Sequence, residues 1–188
     1  MIGVLVSYLV GSVLFGVVLG YLVKGYDIRR EDLPGGSGSF RRLGPAWGVV
    51  VALLDAAKGA FVAYLGLSLS RPELLPYMAA AVVAGHCWPV FFGFRGGGGI
   101  APTIGFFLVY APGPVLAAVA LGLAVAALYH FLYWRRVRRG VYPIPFGAIP
   151  AVPFLLYLLR GDPVGLKSAL FVGLVMGLRA LEMLRVGR

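Results

Sequence analysis

Apolar residues run along this chain in stretches of about 20, the length a helix needs to cross a hydrocarbon core about 30 Å thick. The first is Ile2–Val23. It has no basic segment ahead of it and no small-residue cleavage site before Lys24, so it reads as a retained helix and not a signal peptide. Pro45–Leu69 and Leu74–Phe94 follow. The run from Ile100 to Trp134 is broken at Pro112-Gly113-Pro114, where proline removes a donor and fixes φ. A short helix 100–111 and a full one 115–134 are therefore expected. Pro143–Leu159 is the sixth, kinked by Pro145, Pro150 and Pro153, and Val164–Leu184 the seventh. The pattern predicts an all-α integral membrane protein of seven transmembrane helices. It further predicts a single transmembrane domain over 1–188, with no internal repeat and no appended soluble domain.

Composition agrees. The chain is 60% hydrophobic and 13% charged, against about 25% charged in a soluble domain. That excludes a soluble globule, which could not cover so much apolar surface, and excludes disorder. The single cysteine, Cys87, excludes a disulfide scaffold. One Cys and two His make a metal site unexpected.

The net charge is +10. In a soluble protein this would suggest nucleic acid, but basic residues also mark the cytoplasmic loops of membrane proteins, and no nucleic-acid partner is expected. Lys24, Arg29, Arg30, Arg41, Arg42, Arg95, Arg135, Arg136, Arg138, Arg139, Arg179, Arg185 and Arg188 fall on one side, and only Arg71 and Arg160 on the other. This bias predicts an N-terminus outside and a C-terminus in the cytoplasm. Fourteen of the 17 basic residues are Arg, whose planar fork suits phosphate; codon bias in a GC-rich genome explains the excess equally well.

Both glycine-rich stretches land on the same predicted cytoplasmic face. In loop 24–44, Gly35, Gly36 and Gly38 can turn backbone N–H groups onto an anion, helped by Ser37, Ser39, Arg41 and Arg42. The alternative is a solvated loop that obeys the charge bias. Arg95-Gly96-Gly97-Gly98-Gly99 opens the short helix, where free N–H groups favour phosphate or carboxylate. A hinge is the alternative, and a Walker loop is excluded because the G-K-[ST] ending is absent.

Asp55 and Lys58 lie mid-span at i, i+3 and share a helix face. A lone charge at the bilayer centre costs about 2.5–3.5 kcal/mol, so they read as a structural ion pair, with the floor of a polar site as the alternative. His86 reads as a satisfied structural histidine, since spacing offers it no carboxylate or serine partner. The run Arg135–Arg139 suits anionic headgroups at about 1 kcal/mol per residue. Arg179, Glu182 and Arg185 form one stripe on the last helix, lining either a cytoplasmic site or an interfacial face.

These residues resemble the acyl-phosphate-dependent glycerol-3-phosphate acyltransferases of bacteria (the PlsY family) over nearly the whole chain. Gly11-Ser12-Val13-Leu14-Phe15-Gly16 is similar to the family's G-S-x-P-F-G, and Asp27-Ile28-Arg29 matches its D-I-R. Gly36-Ser37-Gly38, with Arg41 and Gly44, resembles the two ends of its G-S-G-N-x-G-x-T-N-x-x-R loop. Asp55 to Gly59 matches D-x-x-K-G. Gly85-His86-Cys87-Trp88-Pro89, Phe94 to Gly97 and Gly99-Ile100-Ala101 track G-H-x-x-P and F-x-G-G-K-G-x-A-T. The departures fall on the chemistry. The first loop is shortened, with Ser39 where Asn is expected. Gly98 stands for the lysine, and Pro102 for the threonine, with Thr103 one place later. The closing R-H-x-x-N survives only as Arg179 to Met183, with Ala180 and Met183 where His and Asn belong.

The resemblance implies transfer of a fatty acyl group from acyl phosphate to glycerol 3-phosphate, giving lysophosphatidic acid, without metal or nucleotide cofactor. It implies catalytic roles for Ser37 and Arg41. Ser39, Arg95, Gly96, Gly97, Gly98, Gly99, Arg179 and Glu182 would bind substrate, while Asp55, Lys58 and His86 keep the structural polar reading that their own placement suggests. It further implies a monomer among membrane lipids of the bacterial inner membrane, with a cytoplasmic active face. Two other readings stand beside it. The missing Lys, His and Asn suit a catalytically impaired paralogue that binds lipid or an anion. The broken helix at Pro112–Pro114 and the Asp55/Lys58 pair suit a small transporter.

Overall fold

A computed structural model of the chain describes residues 1–138 and 140–185; Arg139 and Arg188, counted above among the basic loop residues, lie outside them. Among the described residues every regular element is helical. Helices α1 (Ile2–Gly11) and α2 (Phe15–Lys24) form one apolar stretch interrupted at residues 12–14. The following segment carries a 3₁₀ turn at Ile28–Arg30 and a short helix, α3 (Gly36–Arg42). Then come α4 (Pro45–Ser68), α5 (Leu75–Cys87), α6 (Ile100–Tyr110) and α7 (Pro112–Tyr129). Helix α7 continues through a π turn at His130–Trp134 into α8 (Arg135–Val137). The chain closes with α9 (Pro143–Leu158) and α10 (Pro163–Arg185).

Five stretches are long and apolar enough to cross a membrane: Ile2–Lys24, Pro45–Ser68, Pro72–Phe92, Pro112–Val137 and Pro163–Arg185. The other two expected spans are the shorter apolar helices Ile100–Tyr110 and Pro143–Leu158. At 1.5 Å per residue they rise only about 16 and 24 Å. The proline pair bounds α6 as anticipated, because Pro112 starts α7 where its missing N–H costs no bond. Asp162 fixes the start of α10: its Oδ1 accepts the N–H groups of Val164 and Gly165 at 3.1 and 3.0 Å, while Oδ2 accepts the Tyr110 hydroxyl at 2.7 Å.

Polarity is arranged inside out relative to a soluble bundle. Leu170, Leu174 and Leu178, four apart on one face of α10, are exposed, whereas Ser7, Ser12, Asp55 and Ser168 are fully buried. Lipid tails are as apolar as leucine, so close packing and polar contacts hold such helices together. The core accordingly combines Val62, Leu75, Met78, Val82, Phe106 and Phe107 from α4, α5 and α6. Helices α4 and α6 approach through Gly59 and Gly105. A Cβ on Gly59 would lie 1.9 Å from the Pro102 carbonyl oxygen, and one on Gly105 1.8 Å from that of Ala56. A second cluster, Leu14, Val17, Ile28 and Leu43, pins the segment after α2 against the bundle.

Candidate active site

The site is built on three buried polar residues from two helices. Asp55 and Lys58 come from α4 and His86 from the end of α5. The Lys58 ammonium lies 2.8 Å from Asp55 Oδ1. It also donates to the carbonyls of Gly11 at 3.1 Å and Val13 at 2.7 Å, and lies 3.3 Å from His86 Nδ1. Those carbonyls are available because α1 stops at Gly11, and a helix end leaves its last carbonyls without intrahelical partners. Asp55 and Lys58 thus pair as their spacing suggests. The sequence reading missed His86 as a member of the group, because its partners lie 28 and 31 positions away and the first helix had to break to admit the ammonium.

The glycine turn sits directly beyond His86. Gly93 and Phe94 adopt left-handed φ values of 62° and 60°, which reverse the chain and bring Arg95 to the site. The Gly96 N–H then donates to the Cys87 carbonyl at 3.1 Å, and that of Gly97 to the His86 carbonyl at 3.0 Å. The expectation that Gly96 and Gly97 offer free amides to phosphate is therefore corrected: closing the turn consumes both. Gly98 faces open space, and Gly99, with φ at 84°, precedes α6. Arg179 ties the turn to the last helix. Its Nε donates to the Gly97 carbonyl at 3.1 Å, its Nη2 to the Gly96 carbonyl at 2.7 Å, and its Nη1 to Glu182 Oε2 at 2.8 Å. Trp88 Nε1 donates to the same carboxylate oxygen at 2.8 Å.

Between the 29–34 segment, this turn and the end of α10 lies a cavity of about 250 Å³, walled by Arg29, Asp32, Pro34, Arg95, Gly96, Arg179, Glu182 and Met183. Most of its charges are already matched. Arg29 pairs with Asp27, Asp32 with Arg41 and Arg42, and Arg179 with Glu182. Hydrogen bonds from Arg29 hold the Asp27 carboxyl below its usual range, although burial opposes them. Burial by itself would push Asp32 up. The Arg41 side chain, the Leu33 N–H and the charges of Arg41 and Arg42 outweigh it, and Asp32 too stays below its usual range. Among the described residues of the wall, the exposed Arg95 guanidinium alone makes no ion pair. On the far side of the glycine turn a separate apolar cavity of about 110 Å³ opens among α6, α7, α9 and α10, lined by Ile104, Val119, Leu123, Ala148, Val152 and Met176.

The remaining candidates lie nearby in different states. Ser37 is half-buried in α3. Ser39 is fully buried, and its hydroxyl has no hydrogen-bond partner among the described residues. Arg41 grips Asp32 with two nitrogens at 2.9 and 2.7 Å and stacks on the Tyr142 ring at 3.8 Å. Trp88, Asp32 and Met183 join the site without having been singled out in the sequence as candidates; each contributes through tertiary contact, which local spacing does not encode.

Comparison with known proteins places this geometry in a family. The family model described as Glycerol-3-phosphate acyltransferase matches residues 1–184. Glycerol-3-phosphate acyltransferase 2 of Deinococcus radiodurans is 44% identical over 183 residues, covering 95% of this chain and 91% of the relative. A glycerol-3-phosphate acyltransferase of Syntrophotalea carbinolica is 35% identical over 176 residues, covering 92% and 85%. Among solved structures, the glycerol 3-phosphate form of PlsY (YgiH), an integral membrane glycerol 3-phosphate acyltransferase, superposes with a TM-score of 0.81 at 28% identity, covering all of this chain and 92% of its own. The helical membrane bundle, the motifs and these relatives agree, and the chain belongs to the glycerol-3-phosphate acyltransferase family.

Proposed function

We propose that this chain transfers an acyl group from acyl phosphate to the 1-hydroxyl of glycerol 3-phosphate at the cavity between the 29–34 segment and the glycine turn. The observation that carries the reading is the one unmatched cation, Arg95, in a wall whose other charges are paired. Such a cavity attracts one phosphate without binding anions indiscriminately. The hydroxyl oxygen attacks the acyl carbon, the bond from that carbon to the phosphate oxygen breaks, and inorganic phosphate leaves with the hydroxyl proton. Little covalent chemistry falls to the protein, so catalysis rests on holding the two substrates in reach and on donors facing the developing oxyanion. Ser37 and Arg41 are placed near the hydroxyl in this reading. Ser39, Gly96 to Gly99, Arg179 and Glu182 shape the phosphate site. The acyl chain runs toward the apolar cavity beyond Gly99.

The proposal includes a seven-pass topology with the N-terminus outside, a single domain over 1–188, a monomer in the bacterial inner membrane and a cytoplasmic site. It needs no cofactor. Purified protein incubated with acyl phosphate and labelled glycerol 3-phosphate should form labelled lysophosphatidic acid, while acyl thioesters should not replace acyl phosphate. No product from acyl phosphate overturns the reading. A second reading, an impaired paralogue that binds a phosphate-bearing lipid, is favoured by one observation: Gly98, Ala180 and Met183 occupy the places of the family's Lys, His and Asn. It predicts ligand binding without turnover in the same assay.

A further inference from the structure

The Asp55–Lys58–His86 cluster is a buried group of titratable residues that the proposed reaction leaves without a task. Its geometry decides where the histidine proton sits. An ammonium has three donors and no acceptor: Lys58 donates to the Val13 and Gly11 carbonyls, has its third N–H for His86 Nδ1 at 3.3 Å, and lies 2.8 Å from Asp55 Oδ1 as an ion pair. A proton on Nδ1 would point into that positive charge. Asp55 Oδ1 lies 3.6 Å from Nδ1, too far to draw a proton there through a hydrogen bond. Nδ1 therefore presents its lone pair to Lys58, and the neutral ring carries its proton on Nε2.

The Nε2 edge faces the two glycine stretches. A Cβ on Gly97 would lie 2.3 Å from Nε2, and one on Gly35 4.0 Å from it. The next residues on either side, Pro34 and Gly96, wall the 250 Å³ cavity. The His86 carbonyl also holds the Gly97 N–H, so one residue sets both the position of the turn and the donor between the two stretches. We propose that His86 is a further substrate-binding residue: its Nε2–H, fixed in that tautomer by Lys58, donates to an anionic phosphate oxygen at the seam between Gly35 and Gly97. Lys58 is then a positioning residue, held in turn by Asp55 and by the broken end of α1. The inference rests on the proposed function of the cavity.

The test is nitrogen NMR on protein labelled at histidine in nanodiscs, with His130→Gln leaving one imidazole to observe. Without ligand, Nδ1 should resonate as an unprotonated and Nε2 as a protonated nitrogen. Glycerol 3-phosphate and inorganic phosphate, titrated separately, distinguish a substrate phosphate from a free one, and each that binds at the seam should move Nε2 while Nδ1 holds. Lys58→Met should let the proton spread over both nitrogens, which a merely structural lysine would not cause. His86→Phe should weaken glycerol 3-phosphate binding by roughly 10- to 100-fold, the range for a hydrogen bond to a charged group. His86→Gln, whose amide N–H replaces the Nε2 donor, should recover most of it. If His86→Phe does not fold, the spectra of the His130→Gln protein still decide. A proton on Nδ1, or an unmoved Nε2 where calorimetry shows glycerol 3-phosphate bound, overturns the inference and leaves the acyltransferase reading intact. If neither ligand binds and no product forms, that reading fails and takes the inference with it.

Discussion

On the proposed reading, Arg95 is the residue on which substrate binding turns. Its charge has no partner in the cavity wall, so Arg95→Ala should raise the dissociation constant for glycerol 3-phosphate about tenfold or more, as calorimetry in detergent would read. Unchanged affinity would make the glycine turn a hinge. Gly98 gives the complementary experiment. An added Cβ there meets nothing within 4 Å, so Gly98→Lys, which restores the family residue, should fold normally and bind the phosphate as well or better. Deeper in, Asp55→Ala strands the Lys58 ammonium among carbonyls. Breaking one partner of a buried pair costs about 3–5 kcal/mol, so the single variant should unfold in detergent at lower temperature than the Asp55→Ala/Lys58→Ala double variant. Equal stability of the two would mean that the residues do not support each other.

Helix contacts and the segment between α2 and α4 behave as units. Gly105→Val places side-chain atoms where the Ala56 carbonyl of α4 already sits, and backbone cannot step aside as a flexible side chain can. Overpacking of this kind costs about 1–3 kcal/mol or more, and the variant should lose both thermal stability and ligand binding, because α4 also carries Lys58. The 25–44 segment should respond to acid. Asp27 and Asp32 titrate below their unfolded values, so the stability they contribute is complete above the usual carboxylate range, about pH 4, and is lost as pH falls through the lower folded values. A nitroxide at the exposed Phe40 should remain ordered at pH 6 and become mobile only below that range; mobilisation already at pH 5 would rule out the pairings. Much of this scale was legible beforehand. Proline pairs and apolar run lengths place α4, α6, α7, α9 and α10 within a few residues. Helix α3 and the break at residues 12–14 were not legible. The first rests on contacts with α4 and the second on a lysine that lies far along the chain, and neither leaves a local pattern.

At the scale of the whole molecule, topology is the open quantity with a direct test. Cysteines at Ser70 and Phe40, both exposed, in a Cys87→Ala background should label from opposite sides of intact membranes. Ser39, though nearer the motif, is buried and unsuited to the experiment. Labelling of both positions from outside would overturn the proposed topology. The site residues spread from α1 to α10, so the family motifs reveal which residues matter while only the assembled bundle reveals which of them touch. The attachment of Gly96 and Gly97 to Arg179 then has a consequence for biosynthesis. A ribosome delivers the chain from its N-terminus, and residues 95–99 are made roughly 80 residues before the guanidinium that holds the Gly96 and Gly97 carbonyls. Every nascent chain therefore passes through a stage in which the preceding helices exist and the turn is unfastened. A chain released before residue 179 should insert and yet bind no phosphate ligand, so that the site is assembled only once α10 has been made.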